Sequence, residues 1–312
     1  HDNVPGGSED HPLAGQLMGT DPEEMAAAAI KMIEQAKRPA HVYRTMRDGE
    51  APPPLAEAGA RSFDVIDVNL ACPVKKIRSK ARGGHWLRDP DGAIDILRAV
   101  RASVPEAIPV TLKIRRGSDD SPEAERRFYR IFDAASDLGY AWATVHGRTV
   151  EQKYNGPSRW TFLRDLVQAR PNAIVFGSGD VWDVHDIFRM LAYTRVHAVS
   201  VARGCIGNPW IFRQAREMMA GCDPLPPTIA EQRDVLRAHF ELSVAVNGER
   251  LAGMLMRKFG IRFSRHHPDP EAVRRRFISV QTTPDWLTVL DEHYTDDRAP
   301  RQNTAHVAAH GR

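Results

Sequence analysis

The chain has 312 residues, of which 42% are hydrophobic and 27% charged, proportions that exclude a disordered chain. No apolar run approaches the ~20 residues of a membrane helix, so no membrane partner is expected. The 43 basic and 40 acidic residues leave a net charge of only +3, too little to specify a polyanion partner without local clustering.

Three cysteines, Cys72, Cys205 and Cys222, are too few for a disulfide framework and fit a reducing, cytoplasmic compartment. No CxxC or His-rich spacing marks a metal site. The first 15 residues carry no basic stretch leading into an apolar core, so no signal peptide is expected.

Residues 12–19 form a short apolar run ending in Gly19 and read as a strand. Thr20 is placed to cap a helix, with Pro22 in the first turn and Glu23 and Glu24 at its positive end. That helix is expected to reach about Lys37. Pro39, Gly49 and Pro52-Pro53-Pro54 then break the pattern, and 39–54 reads as an inserted loop.

Regular alternation follows. Strands are expected at 63–70, 109–114, 141–146, 173–176 and 197–201, and helices at 91–104, 122–138, 159–169, 184–193 and 209–219. With the first pair these make six strand–helix units with short links, which predicts a parallel sheet covered by helices. Polar or Gly-rich residues close one strand after another: Asn69, Lys113, His146, then 177–180 and 202–204. Sites spread over successive strand ends favour a TIM-type (β/α)8 barrel over an open doubly wound sheet, whose site sits at one switch point. Six units are two short of eight, so the first two are expected to be absent from this α/β barrel.

The Pro-rich run at 222–227 marks a boundary, which gives a barrel at 1–222. Beyond it, 228–247, 251–265, 270–281 and 283–293 have apolar residues at spacings of three and four, a small all-helical domain at 228–294. The polar tail at 297–312 is expected to be disordered.

The densest chemistry lies in DVNLACPVKKIRSKARGG, where Cys72 follows a strand and precedes Pro73. Lys75, Lys76, Arg78, Lys80 and Arg82 surround it. Cations near a thiol lower its pKa and attract an anionic substrate, so Cys72 is a candidate general acid or nucleophile. The alternative is a packed, inert cysteine beside a solvated basic loop.

GSGDV (177–181) and ARGCIGNPW (202–210) place glycines between strands and helices, where backbone N–H groups can cradle a phosphate. Arg203 can add a bidentate contact. Lys113 and His146 close adjacent strands, with Arg115 and Arg148 two residues beyond, as one polar floor or as a satisfied core pair. Gln16 ends the first strand in the same manner, and such a glutamine needs a hydrogen bond. Arg257, Lys258, Arg262, Arg265, His266 and His267, followed by Arg274 to Arg276, make either a solvated basic face or a contact with a nucleic-acid backbone.

Taken together, GQLMGTDPEEM, DVNLACPVKK with Gly83-Gly84, VTLKIRRG, TVHGRT, GSGDV, ARGCIGNPWIF and RKFGIRF resemble the tRNA-dihydrouridine synthase family, the bacterial branch most of all. The resemblance runs from about Pro12 to about Tyr294. It implies an oxidoreductase that uses FMN and NAD(P)H, with NADPH as reductant, to convert uridine in tRNA to 5,6-dihydrouridine. It implies that Cys72 gives the proton to C5 while a hydride reaches C6.

Gln16, Lys113, Ser178, Gly179 and Asp180 match positions that bind FMN, and Ala202 and Arg203 match the pair at its phosphate. Asn69 and His146 match residues lining the flavin and uracil pocket. Lys75, Lys76, Arg148, Lys258 and Arg262 are the expected tRNA contacts. Ser178 stands where the family usually has Asn, and Ala202 where it has Gly. A monomer without a protein partner is expected. The alternative is a flavin-free homologue that binds tRNA without redox chemistry.

Overall fold

A computed structural model describes residues 12–35, 63–75 and 81–295. The expected insertion at 39–54, Lys76, Arg78, Lys80 and the tail at 297–312 lie outside these residues. The chain divides into two compact units. One runs up to Asp180 and includes Phe188–Ser200; the other joins Val181–Ile187 to the residues from Val201 onward.

The first unit holds six strands: β1 (Ala14–Leu17), β2 (Val65–Leu70), β3 (Val110–Arg115), β4 (Ala143–His146), β5 (Val175–Ser178) and β6 (Ala198–Ser200). All are parallel and pair in chain order from β1 to β6. Helices α1 (Pro22–Gln35), α2 (Pro90–Ser103), α3 (Pro122–Asp137), α4 (Trp160–Ala169) and α5 (Val184–Thr194) follow the first five strands. Parallel strands in sequential order, each linked to the next through a helix, form the wall of a (β/α)8-type barrel.

Local signals fix the helix starts. Asp89 accepts from the Gly92 amide at 3.1 Å and Ser121 from the Ala124 amide at 3.2 Å, each followed at once by a proline.

Successive strand residues face opposite sides, so the sheet sorts its side chains by chemistry. One face carries Leu17, Ile66, Val68, Leu70, Val110, Leu112, Ile114, Val145 and Val175, all buried. The helices bury Ile96, Leu97, Phe128, Ile131, Leu163 and Leu166, which with that face make the core. The other face carries Gln16, Asp67, Asn69, Thr111, Lys113, Thr144, His146, Ser178 and Ser200, in register across the strands. A parallel sheet covered on both sides is apolar on both. A polar face therefore marks the working side.

Asp21, not the expected Thr20, caps α1, its Oδ1 accepting from the Glu23 and Glu24 amides at 2.9 Å. Two further details differ from the sequence reading. Strand β5 ends two residues later than expected, because Gly177 and Ser178 pair with Val145 and His146 instead of opening a loop. A 3-10 turn over Gly83–Arg88 lies ahead of α2.

The second unit contains α6 (Ile211–Met219), α7 (Ile229–Asn247), α8 (Glu249–Phe263), α9 (Pro270–Ser279) and α10 (Thr283–His293). Trp210 belongs to the helical core and meets Phe263 edge-on at 5.6 Å. Trp286 stacks on Phe240 at 5.0 Å in the middle of that core. Thr228 with Glu231 and Thr282 with Asp285 form reciprocal capping boxes at the starts of α7 and α10. Among the described residues no helix is long and apolar enough to cross a membrane.

Candidate active site

The polar face is organised from Asp67. Its carboxylate accepts from Thr111 Oγ1 at 2.6 Å and from Gln16 Nε2 at 2.7 Å. Gln16 Oε1 in turn accepts from Asn69 Nδ2 at 2.7 Å. Asn69 Oδ1 then accepts from the Ala71 and Cys72 amides at 2.8 and 3.2 Å. Residues on β1, β2 and β3 are thus joined in one chain that ends at Cys72.

Cys72 is a half-buried free thiol. Its carbonyl accepts from the Gly84 amide at 3.0 Å, which ties it to the turn before α2. A Cβ on Gly83 would meet the Cys72 Cβ at 2.8 Å, and Gly83 has a φ of +57°. The two glycines are therefore what lets this turn close against the thiol.

Lys113 faces Asn69 across the β2–β3 register. Burial pushes its ammonium below the usual lysine range, opposed by the charge of Asp67. Burial likewise pushes Asp67 up, while its hydrogen bonds from Thr111 and Gln16 and the Lys113 charge pull it down. Each holds the other nearer its charged form.

His146 closes β4, where its Nδ1 accepts from the Arg148 amide at 3.1 Å. An accepting Nδ1 makes Nε2 the protonated ring nitrogen. Arg115 is buried at 3% exposure and acts as a staple. It donates to the Ala71 carbonyl at 2.9 Å and to the Thr149 and Lys153 carbonyls at 2.8 Å, joining the Cys72 loop to the loop after β4.

At the end of β5, Ser178 is buried, and Gly179 and Asp180 have φ values of +111° and +56°. A Cβ on Gly179 would meet Ser158 Oγ at 2.4 Å and His146 Cε1 at 3.1 Å, so only glycine fits. Asp180, expected at the flavin, is engaged within the protein. Its carboxylate takes both Arg148 Nη2 and the Ser158 amide. Arg148, expected at tRNA, is itself buried and forms an internal ion pair with Asp180. Buried arginine meets carboxylate because an unpaired charge there is costly.

In the second unit Ala202 has a φ of −115°, outside the left-handed region. The Arg203 guanidinium lies over the Trp182 ring at 4.7 Å. Lys75, Lys258 and Arg262 are exposed. Lys258 Nζ lies 5.1 Å from the Phe259 ring centre. Sequence reasoning missed Asp67 and Thr111; the alternation of polar residues within FDVIDVNL and VTLKIR was the signal that could have found them.

These features define a barrel-type wall with a thiol at the strand ends and a hydrogen-bonded polar floor beside it. The family model of dihydrouridine synthases matches residues 49–297. The chain belongs to that family.

A probable tRNA-dihydrouridine synthase of Mycobacterium tuberculosis is 33% identical over 258 residues, 82% of this chain and 64% of the relative. The tRNA-dihydrouridine synthase B of Shewanella oneidensis is 32% identical over 290 residues, 90% of this chain and 77% of the relative. That of Proteus vulgaris is 30% identical over 280 residues, 89% and 77% of the two chains. This chain thus spans 64% of the length of the first curated relatives it matches.

Proposed function

We propose that this chain reduces uridine to 5,6-dihydrouridine in tRNA, with FMN as its redox group and NADPH as reductant. The names of the relatives support the substrate. The observation that carries the reading is the hydrogen-bonded chain that fixes Cys72 beside Asn69, Gln16 and Lys113 on three adjacent strands.

The residues present fit a flavin. Gln16 and Asn69 each keep a second amide proton beyond the bond that each donates, and Lys113 adds a cation, so the face offers donors to a carbonyl-rich ring. Ser158 Oγ is buried without a hydrogen-bond partner beside Gly179, next to a left-handed turn that can present backbone N–H groups. Ser178 and Gly179 are the residues of the first unit that would hold the phosphate side.

Saturating the C5=C6 bond of uracil takes a hydride and a proton. When bound, reduced FMN supplies the hydride to C6, which no side chain can. Cys72 gives the proton to C5 as general acid. Lys113 stabilises negative charge at the ring edge, where a buried cation acts more strongly than in water. Asn69 holds the thiol's backbone while its remaining N–H faces the site.

Lys75, Lys258 and Arg262 meet tRNA phosphates, and contacts of that kind repay splaying the target base out of the stack. A cytoplasmic monomer without a protein partner completes the reading.

The test is the visible spectrum of the purified chain, flavin released by heat, and dihydrouridine formed from unmodified tRNA with NADPH. The expected result is about one FMN per chain and product that depends on it. A folded, colourless chain that cannot be loaded with FMN overturns the enzyme reading.

A further inference from the structure

The chain of side chains from Asp67 to Cys72 has a direction. At one end stands a carboxylate, which can only accept hydrogen bonds; at the other stand the backbone amides of Ala71 and Cys72, which can only donate. Between them lie two carboxamides, Gln16 and Asn69, each with one oxygen and one nitrogen end. Only one orientation of each satisfies every link. Asp67 demands the Gln16 nitrogen, which turns the Gln16 oxygen to Asn69. That demands the Asn69 nitrogen, which turns the Asn69 oxygen to the backbone. The two ends require the same answer, so no member is frustrated.

Asp67 itself does not reach the thiol. It is buried at 8% exposure, and its second oxygen is taken by Thr111. Gln16, by contrast, is exposed, so nothing in the packing around its own side chain holds its amide one way round. Asp67 supplies that constraint from one end, and the Ala71 and Cys72 amides supply it through Asn69 from the other.

We propose that Asp67 is a positioning residue that acts through Gln16 and Asn69 to hold the Cys72 backbone and to turn the spare N–H of both amides toward the site. The importance of the inference rests on Cys72 being the reacting thiol, but its test does not. The consequence is specific: breaking the chain at either Asp67 or Gln16 loosens the same loop, and breaking it twice does no more than breaking it once.

The experiment reads the alkylation rate of Cys72 by iodoacetamide in the full chain, with Cys205 and Cys222 replaced by serine. No flavin, tRNA or turnover is needed, so failure here is distinguishable from failure of the proposed activity. Gln16→Met and Asp67→Leu are each expected to raise the rate by roughly fivefold, the scale of one lost hydrogen bond. In the Gln16→Met background, Asp67→Leu is expected to add less than about twofold, the signature of groups acting in series.

Asp67→Asn is expected to restore the slow rate, because its oxygen can still face Gln16 while its amide faces Thr111. If Gln16→Met leaves the rate unchanged, or if the two single effects multiply, the proposal is overturned. The Gln16→Met arm decides the matter even where Asp67→Leu fails to fold, because Gln16 is exposed.

Discussion

Arg148 closes over Asp180, its Nη2 donating to both carboxylate oxygens at 2.7 and 2.8 Å. The same guanidinium donates through Nε to the Gly156 carbonyl at 2.9 Å, so the loop after β4 and the end of β5 are locked together. Two residues that sequence reasoning assigned to tRNA and to the flavin are thereby each other's partners. Removing one of a buried pair leaves the other uncompensated.

Arg148→Met is therefore expected to cost about 3 kcal/mol of stability. It is expected to leave the salt dependence of tRNA binding unchanged. Lys258→Ala and Arg262→Ala should do the reverse, each lowering the slope of log K against log salt by roughly 0.7–0.9 with no change in Tm. Thermal melts and binding titrations at several salt concentrations separate the two patterns. A reduced slope with an unchanged melt for Arg148→Met would return that residue to the tRNA surface.

Cys72 is held by its backbone, through Asn69 and Gly84, and its side chain carries none of those bonds. Cys72→Ala should therefore leave folding and FMN binding intact. Loss of a general acid typically costs 10²–10⁴-fold, and dihydrouridine formation should fall on about that scale. Product quantified from digested tRNA, with the flavin spectrum as a control, checks it. Retention of activity within about tenfold would remove Cys72 from the proton step.

Gly83 is the neighbour that makes room for that thiol. A methyl added there would sit 2.8 Å from the Cys72 Cβ and 3.2 Å from its amide nitrogen. The positive φ adds a penalty of roughly 1–2 kcal/mol for any L side chain. Gly83→Ala should lower Tm modestly and, under the proposed function, depress kcat more than KM, since the displaced group is the proposed general acid. An equal rise in KM with unchanged kcat would show that the turn serves binding instead.

The strand–helix rhythm was legible from apolar runs in the strands and the short links between elements. Strand β5 ran past its expected end because Gly177 and Ser178 look like loop residues when read alone. Their pairing with Val145 and His146 is a contact with another strand, which no local pattern records. Trp210 was hidden in the same way, since its place in the helical core depends on Phe263, far along the chain. Gln16, Asn69, Lys113 and His146 were singled out because polar residues closing successive strands are unusual. Asp67 was not, because one acidic residue in a strand has no meaning until the register sets it against Gln16 and Thr111.

His266 makes the helical unit sensitive to acid. Burial, reinforced by the neighbouring Arg265 cation, pushes its imidazole from 6.5 down to about 4. The unfolded chain takes up this proton near 6.5, the folded one only near 4. Between those values the unfolded state holds more protons, so stability falls as pH drops through that window and is fully present above it. The loss is at most about 3 kcal/mol, from the tenfold-per-unit linkage. His266→Gln cannot take up the proton, so its stability should change less than that of the parent chain between pH 7 and pH 4.5. Urea unfolding followed by tryptophan fluorescence at the two values measures the difference. Equal losses in the two proteins would show that His266 is already protonated in the folded state and that carboxylates set the acid limit.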